Sequence, residues 1–127
     1  MPEFIAQHVP SDLDQFTTGY LEAVEWLLDE ETNRYGLEGF SESAILRAKE
    51  DCRSFQESYA EQLAAYEEYS GRSMSSAGTD FYLSRNGHGA GFFDRGNQPV
   101  FDELQKLARI EGETYHEVGS DNLVYQL

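Results

Sequence analysis

The chain is poor in the residues that staple small proteins or hold nucleic acid: among its 127 residues there are one cysteine, three prolines, two lysines and no long apolar run. A single cysteine, Cys52, excludes an internal disulfide framework and a cysteine-based zinc site. Its helical setting predicts a small buried hydrophobe. Apolar stretches only a few residues long cannot cross a bilayer. The first residues have neither the basic start nor the apolar centre of a secretory signal, so the expectation is a soluble cytoplasmic protein with no membrane partner. The scarcity of bases has the widest consequence. Nine Lys and Arg face 24 Asp and Glu, a formal net charge of −15, and such a field repels phosphate, so direct binding to nucleic acid is not expected.

What is present is acid, unevenly spread. Sixteen of the acidic residues and only four bases fall in residues 1–70, a net of −12, against −3 for residues 71–127. Generic solubility or a salty habitat accounts for acidity of this kind. A surface that competes with nucleic acid for a basic groove accounts for it equally well. A chain of this length supports one core, and the expectation is one domain over residues 1–127.

Hydrophobic spacing places the elements. Ser11 and Asp14 read as a helix start, and Phe16, Tyr20, Val24, Leu27 and Leu28 continue at three- to four-residue intervals to about Glu31. After a loop through Asn33, Gly36 and Gly39, Ser41 reads as the next cap. Ile45, Ala48, Cys52, Phe55, Tyr59, Leu63 and Tyr66 then form a long stripe that predicts one helix ending at Gly71. The two helices are expected to pack as an antiparallel hairpin. Beyond the Ser- and Gly-rich stretch from Gly71 to Gly78, Phe81, Tyr82 and Leu83 read as a short strand, and Phe92 and Phe93 as a second one. Pro99 opens a third helix, with Val100, Leu104, Leu107 and Ala108 inward and Gly112 past its end. Thr114 to Val118, the Gly119-Ser120-Asp121-Asn122 turn, and Leu123 to Tyr125 read as a hairpin. The expected fold is α+β, ordered ααβ(β)αββ, with a small antiparallel sheet and helices on one of its faces.

At about 100° per residue, Glu50, Glu57, Glu61 and Glu68 share the side of the second helix away from its apolar stripe. Asp14, Glu22, Glu25 and Asp29 cluster similarly on the first, with Trp26 beside them and off the apolar arc. Two such rows predict a surface for a partner with a basic nucleic-acid-binding groove, and a tryptophan rimmed by acids suits an interface. Solvation alone is the plainer reading of any one row.

The densest local signal is Asp80-Phe81-Tyr82-Leu83-Ser84-Arg85-Asn86-Gly87-His88-Gly89-Ala90-Gly91-Phe92-Phe93-Asp94. Its glycines permit unusual backbone angles, yet no phosphate-binding helix follows and no Lys-Ser/Thr ends it, which sets aside the dinucleotide and P-loop fingerprints. A small-ligand or enzymatic site here would use Arg85 as an anion clamp, Asn86, and His88 oriented by Asp80 or Asp94. The plainer reading is a fold element in which Arg85 and Asp94 pair across the turn. Neither a nucleophile nor a metal-ligand cluster can be assigned around His88, so no catalytic residue, metal or cofactor is expected.

This run resembles the pattern Asp-Phe-aromatic-Leu-x-Arg-Asn-Gly-His-Gly-Ala-Gly-Phe-aromatic-Asp of an uncharacterised family of small phage- and plasmid-encoded proteins. The resemblance extends to Gly19-Tyr20-Leu21-Glu22-Ala23 and to Asp51, Cys52 and Phe55. Tyr82 and Phe93 stand where many relatives would have tryptophan, and Ser84 where threonine is usual. The resemblance implies a mobile-element origin and brings no established activity. With the charge, it leads to an expected inhibitor of a host defence or nucleic-acid-processing protein. The alternatives are the ligand module on the glycine-rich turn and a homodimer formed through Tyr69, Tyr82 and Phe93; without the last the chain is a monomer.

Overall fold

The computed structural model describes residues 12–32 and 39–127, the first segment with side chains up to Leu28. In chain order the elements are α1 (Gln15–Thr32), β1 (Gly39–Phe40), α2 (Glu42–Ser58), α3 (Ala60–Ser70), α4 (Met74–Arg85), a 3₁₀ turn (Phe92–Arg95), α5 (Pro99–Glu111), β2 (His116–Val118) and β3 (Leu123–Gln126). The architecture is α+β, dominated by helix, with a three-stranded sheet in the order β1-β3-β2.

Local chemistry sets the helix ends. Asp14 starts α1 by accepting the Thr17 amide at 2.7 Å, the bond an N-cap supplies to an otherwise orphaned donor; Ser11 lies outside the described residues. Ser41 caps α2 through Ala44 at 3.1 Å, and Ser73 caps α4 through Ser76 at 3.2 Å. Pro99 occupies the first turn of α5, and Gly112 (φ 86°) follows its end.

The stripe from Ile45 to Tyr66 does not belong to one helix. Tyr59 leaves helical geometry, with φ −127° and ψ 36°, and divides it into α2 and α3. The periodicity runs through the break because Tyr59 still donates its amide to Phe55 at 3.0 Å and accepts from Leu63 at 3.0 Å. Its ring stays edge-on to Phe55, 5.0 Å between centroids.

The two expected central strands are corrected. Phe81, Tyr82 and Leu83 lie inside α4, and Phe92 and Phe93 form the 3₁₀ turn. The Ser- and Gly-rich stretch read as a loop supplies the first turns of α4. That helix is the main packing partner of α1, ahead of α2, which replaces the expected α1–α2 hairpin as the centre of the fold. Gly19 and Gly78 explain how. A methyl group on either would overlap backbone of the opposite helix, the Ser75 carbonyl for Gly19 and the Phe16 carbonyl for Gly78. The helices therefore cross backbone to backbone, and Thr79 Oγ1 closes the contact by donating to the Gly19 carbonyl at 2.9 Å.

Around this crossing the buried apolar side chains form one core. Phe55 stacks on Phe81 at 4.2 Å, and Phe16 and Phe92 extend the stack. Tyr66 meets Phe92 and Phe101 edge-on. Each such pair is worth about 0.5–1.5 kcal/mol beyond simple area burial.

The C-terminal hairpin forms as the turn residues predict, with Asn122 at φ 64° and Val118 opposite Val124. The sheet as a whole is mixed, which corrects the antiparallel expectation: β1 pairs with β3 in parallel, Gly39 with Leu123 and Phe40 with Val124. Parallel pairing is allowed because a long connection separates the two strands.

Candidate functional site

The glycine-rich run turns its polar side chains inward. Asp80, on the buried side of α4, accepts from Arg95 Nε at 2.9 Å, from Arg95 Nη2 at 3.1 Å and from the Tyr66 hydroxyl at 2.7 Å. Burial pushes its carboxyl upward from the usual range, and those three bonds pull it back. Ser84 Oγ accepts the Phe92 amide at 3.0 Å. Gly91 sits at φ 141°, where a side chain would overlap Ser84 Oγ.

Arg85 is almost wholly buried and does not pair with Asp94. It donates to Asp51 at 2.8 Å, to the Tyr20 hydroxyl at 3.3 Å, and to the carbonyls of Gly112 and Glu111 at 2.8 and 3.2 Å. Its guanidinium lies 5.2 Å from the centre of the Phe81 ring. It thus ties α4 to α1, α2 and the end of α5, leaving no free fork for an anion. Asp94 is exposed and accepts the Gly91 amide at 3.2 Å. Asn86 bridges to the start of the hairpin: its oxygen accepts the Thr114 amide at 2.7 Å, and its nitrogen donates to the Tyr82 carbonyl and the Thr114 hydroxyl.

His88 remains. It is exposed, and its ring lies 5.9 Å from that of Tyr82 at 28°. The other side of the neighbourhood belongs to His116 of β2, also 5.9 Å from Tyr82 and at 66° to it. The two histidines, Tyr82, Asn86 and the segment leading into β2 line an open cavity of about 260 Å³, closed on the α1 side by Leu27 and Leu28. Both ring nitrogens of His116 are shut off from solvent and have no hydrogen-bond partner among the described residues. Burial, reinforced by the Arg85 and Arg47 charges, pushes its pKa down to about 4. The ring is therefore neutral near pH 7, one nitrogen a donor and the other an acceptor.

The acidic rows divide. On α1, Glu25 is completely buried, which removes it from any partner surface. It lies on a helix enclosed on several sides, with Leu21, Val24 and Leu28 also buried. Glu22 is half-buried, and burial raises its carboxyl. Asp14 is exposed but engaged by Thr17 and by Gln56 Nε2 at 3.2 Å. Burial raises its carboxyl, and those bonds outweigh the effect to hold it below the ordinary range. Trp26 is 54% exposed, and the Asp29 side chain lies outside the described residues. Among the described residues the first helix therefore does not present the expected acidic row, because Glu25 is interior and Glu22 half-buried.

On α2 and α3, Glu50, Glu57, Glu61 and Glu68 are all exposed, and none forms an ion pair among the described residues. From Ser54 to Gly71 the chain has no lysine or arginine. Of the three aromatics expected at a homodimer contact, Tyr69 and Phe93 are exposed, whereas Tyr82 is buried. Cys52 is fully buried and burial pushes its thiol far up, which keeps it unreactive.

Reading the sequence located Asn86 and His88 but missed Tyr82 and His116 as parts of the same neighbourhood. The only available signal was a histidine beside Val118 in a short C-terminal strand, with nothing to say which face it would take. No helix among the described residues is long and apolar enough to cross a membrane. No protein family, curated protein or solved structure matches the chain.

Proposed function

We propose that the protein is an acidic interaction protein of a mobile genetic element, acting in the host cytoplasm, where it occupies the basic nucleic-acid-binding groove of a host defence protein and inhibits it. The observation that carries this reading is the α2–α3 surface: exposed carboxylates, unpaired among the described residues, with no base from Ser54 to Gly71. Glu61 and Glu68 stand two turns apart on α3, ~10 Å along its axis, roughly the axial rise of three phosphates on one strand. The resemblance of Asp80–Asp94 to phage- and plasmid-encoded proteins supplies the biological setting. The mechanism is steric and electrostatic occlusion, so affinity falls as salt rises. The surface is narrower than the sequence suggested, because Glu25 is interior and Glu22 half-buried. Trp26 is an exposed aromatic available as an anchor.

The test is capture from a bacterial lysate on the immobilised protein, in parallel with the Glu57→Lys, Glu61→Lys, Glu68→Lys triple variant. The expected result is a basic nucleic-acid-binding protein that is retained at low salt, released at high salt, displaced by added DNA or RNA, and lost from the triple variant while its melting temperature is unchanged. Capture of a partner indifferent to salt, to nucleic acid and to the charge reversals overturns the reading.

A further inference from the structure

We propose that the cavity between α1, the end of α4 and the entry to β2 binds a neutral, planar heteroaromatic molecule of nucleobase size. The inference is independent of the acidic face. Four rings contribute to the lining, Tyr82, His88, Tyr115 and His116, and Leu27 and Leu28 supply its aliphatic side. Rings offer flat faces to a flat occupant, and stacking of this kind tolerates any aromatic heterocycle. The volume of about 260 Å³ lies below the range of cavities that take drug-sized ligands, roughly 300–1,000 Å³, so the occupant is small.

Polar chemistry narrows the class. His116 carries a donor and an acceptor that no group among the described residues satisfies, and an unmet buried group costs stability. A turn of the imidazole toward an occupant with a hydrogen-bonding edge exchanges that cost for a bond. Charge excludes an anion, which Glu113 at the rim and the net charge of −15 oppose. Asn86 and Thr114 are bonded to each other, and so shape the wall without competing for the occupant.

The probes are free adenine and free cytosine, titrated into the intact protein while the histidine ring proton signals are followed by NMR, with adenosine monophosphate as the charged counterpart. The expected result is a saturating shift of the His88 and His116 signals with at least one base, and binding at least tenfold weaker for the monophosphate. His116→Phe keeps a ring and deletes both nitrogens, and is expected to weaken the base at least tenfold. His88→Ala removes an exposed wall without touching the core; it is expected to weaken the base severalfold, and carries the test if His116→Phe does not fold. Absence of a saturating shift with either base up to ~10 mM, an affinity too weak to matter for a built site, overturns the proposal. So does binding that is indifferent to the substitutions, or a monophosphate that binds as well as the base.

Discussion

The stretch from Met74 to Arg95 and the stretch from Ser54 to Gly71 both carry charged residues, and they use most of them in opposite ways. In the first, Asp80, Ser84, Arg85, Asn86 and Arg95 each bond to another group of the fold, Ser84 and Arg95 within the stretch and the others beyond it. In the second, Glu57, Glu61 and Glu68 face solvent and pair with nothing among the described residues. The difference teaches where to look for function in a small protein. A dense, distinctive motif whose polar groups, His88 apart, are bonded internally is mainly a fold constraint. Charges that contribute no internal bond are the ones left for a partner.

The sharpest way to break this contrast is at the helix crossing. Gly78→Ala drives a methyl into the Phe16 carbonyl, backbone against backbone with no flexible side chain to yield. The expected loss exceeds ~4 kcal/mol, the exceptional end of the range for point substitutions, and shows as failure to fold or as a collapse of the urea midpoint. Gly71→Ala is the matched control. That residue sits at φ 69° with open space around the position of a Cβ, so only the left-handed backbone is penalised, by about 1 kcal/mol. Equal losses at the two sites dismiss the close crossing.

Next in size is the Asp80–Arg95 pair. Asp80→Ala leaves a largely buried guanidinium and the Tyr66 hydroxyl without their shared acceptor. Breaking a buried pair from one side costs about 3–5 kcal/mol, read from equilibrium denaturation. A loss near zero means that Asp80 belongs with the solvent-facing acids, and the contrast between the two stretches then fails.

Much of the fold was legible where periodicity was intact, and illegible where burial was all-round. Ser41, Pro99, Gly112 and the Gly119–Asn122 turn punctuate the chain as their backbone preferences predict. Helix α4 gave no such help. Ala77, Gly78, Asp80, Phe81, Tyr82, Ser84 and Arg85 are all buried, so the helix has no polar face to mark a period, and three consecutive apolar residues looked like a strand. Glu25 misled for the same reason in reverse: a periodic reading assigns acids outward, whereas α1 is enclosed on that side too. Tyr59 keeps the stripe in phase while breaking the helix, a change of backbone angle that side-chain spacing does not record. Of the cavity, Asn86 and His88 were marked by their glycine-rich setting. Tyr82 and His116 depend on how α4 meets the hairpin, which no local pattern encodes.

His116 sharpens the comparison through pH. Its folded pKa is about 4 against an ordinary value of 6.5, so the folded protein resists a proton that the unfolded chain accepts. Stability is therefore complete above about pH 6.5, falls as the pH drops through the interval, and levels off below about pH 4. The total loss from this one group is about 3 kcal/mol, at 1.36 kcal/mol per unit. The measurement is the urea midpoint from pH 7.5 to 4 for the parent and for His116→Phe, since the difference between the two curves isolates His116 from the carboxylates. A variant as acid-sensitive as the parent removes the buried neutral histidine from the account.

The smallest effect on stability is expected where the effect on binding is greatest. Reversing Glu57, Glu61 and Glu68 to lysine adds six charges and takes the formal net from −15 to −9. No ion pair among the described residues is lost, and self-repulsion among the remaining acids is relieved, so the thermal midpoint stays level or rises slightly in low salt and converges with that of the parent as salt is added. A clear fall in the midpoint shows that the α2–α3 face supports the fold, in which case lost capture says nothing about recognition. A level midpoint with lost capture separates the two stretches fully: one uses its charged residues to hold the chain together, and the other leaves its carboxylates outward for a partner.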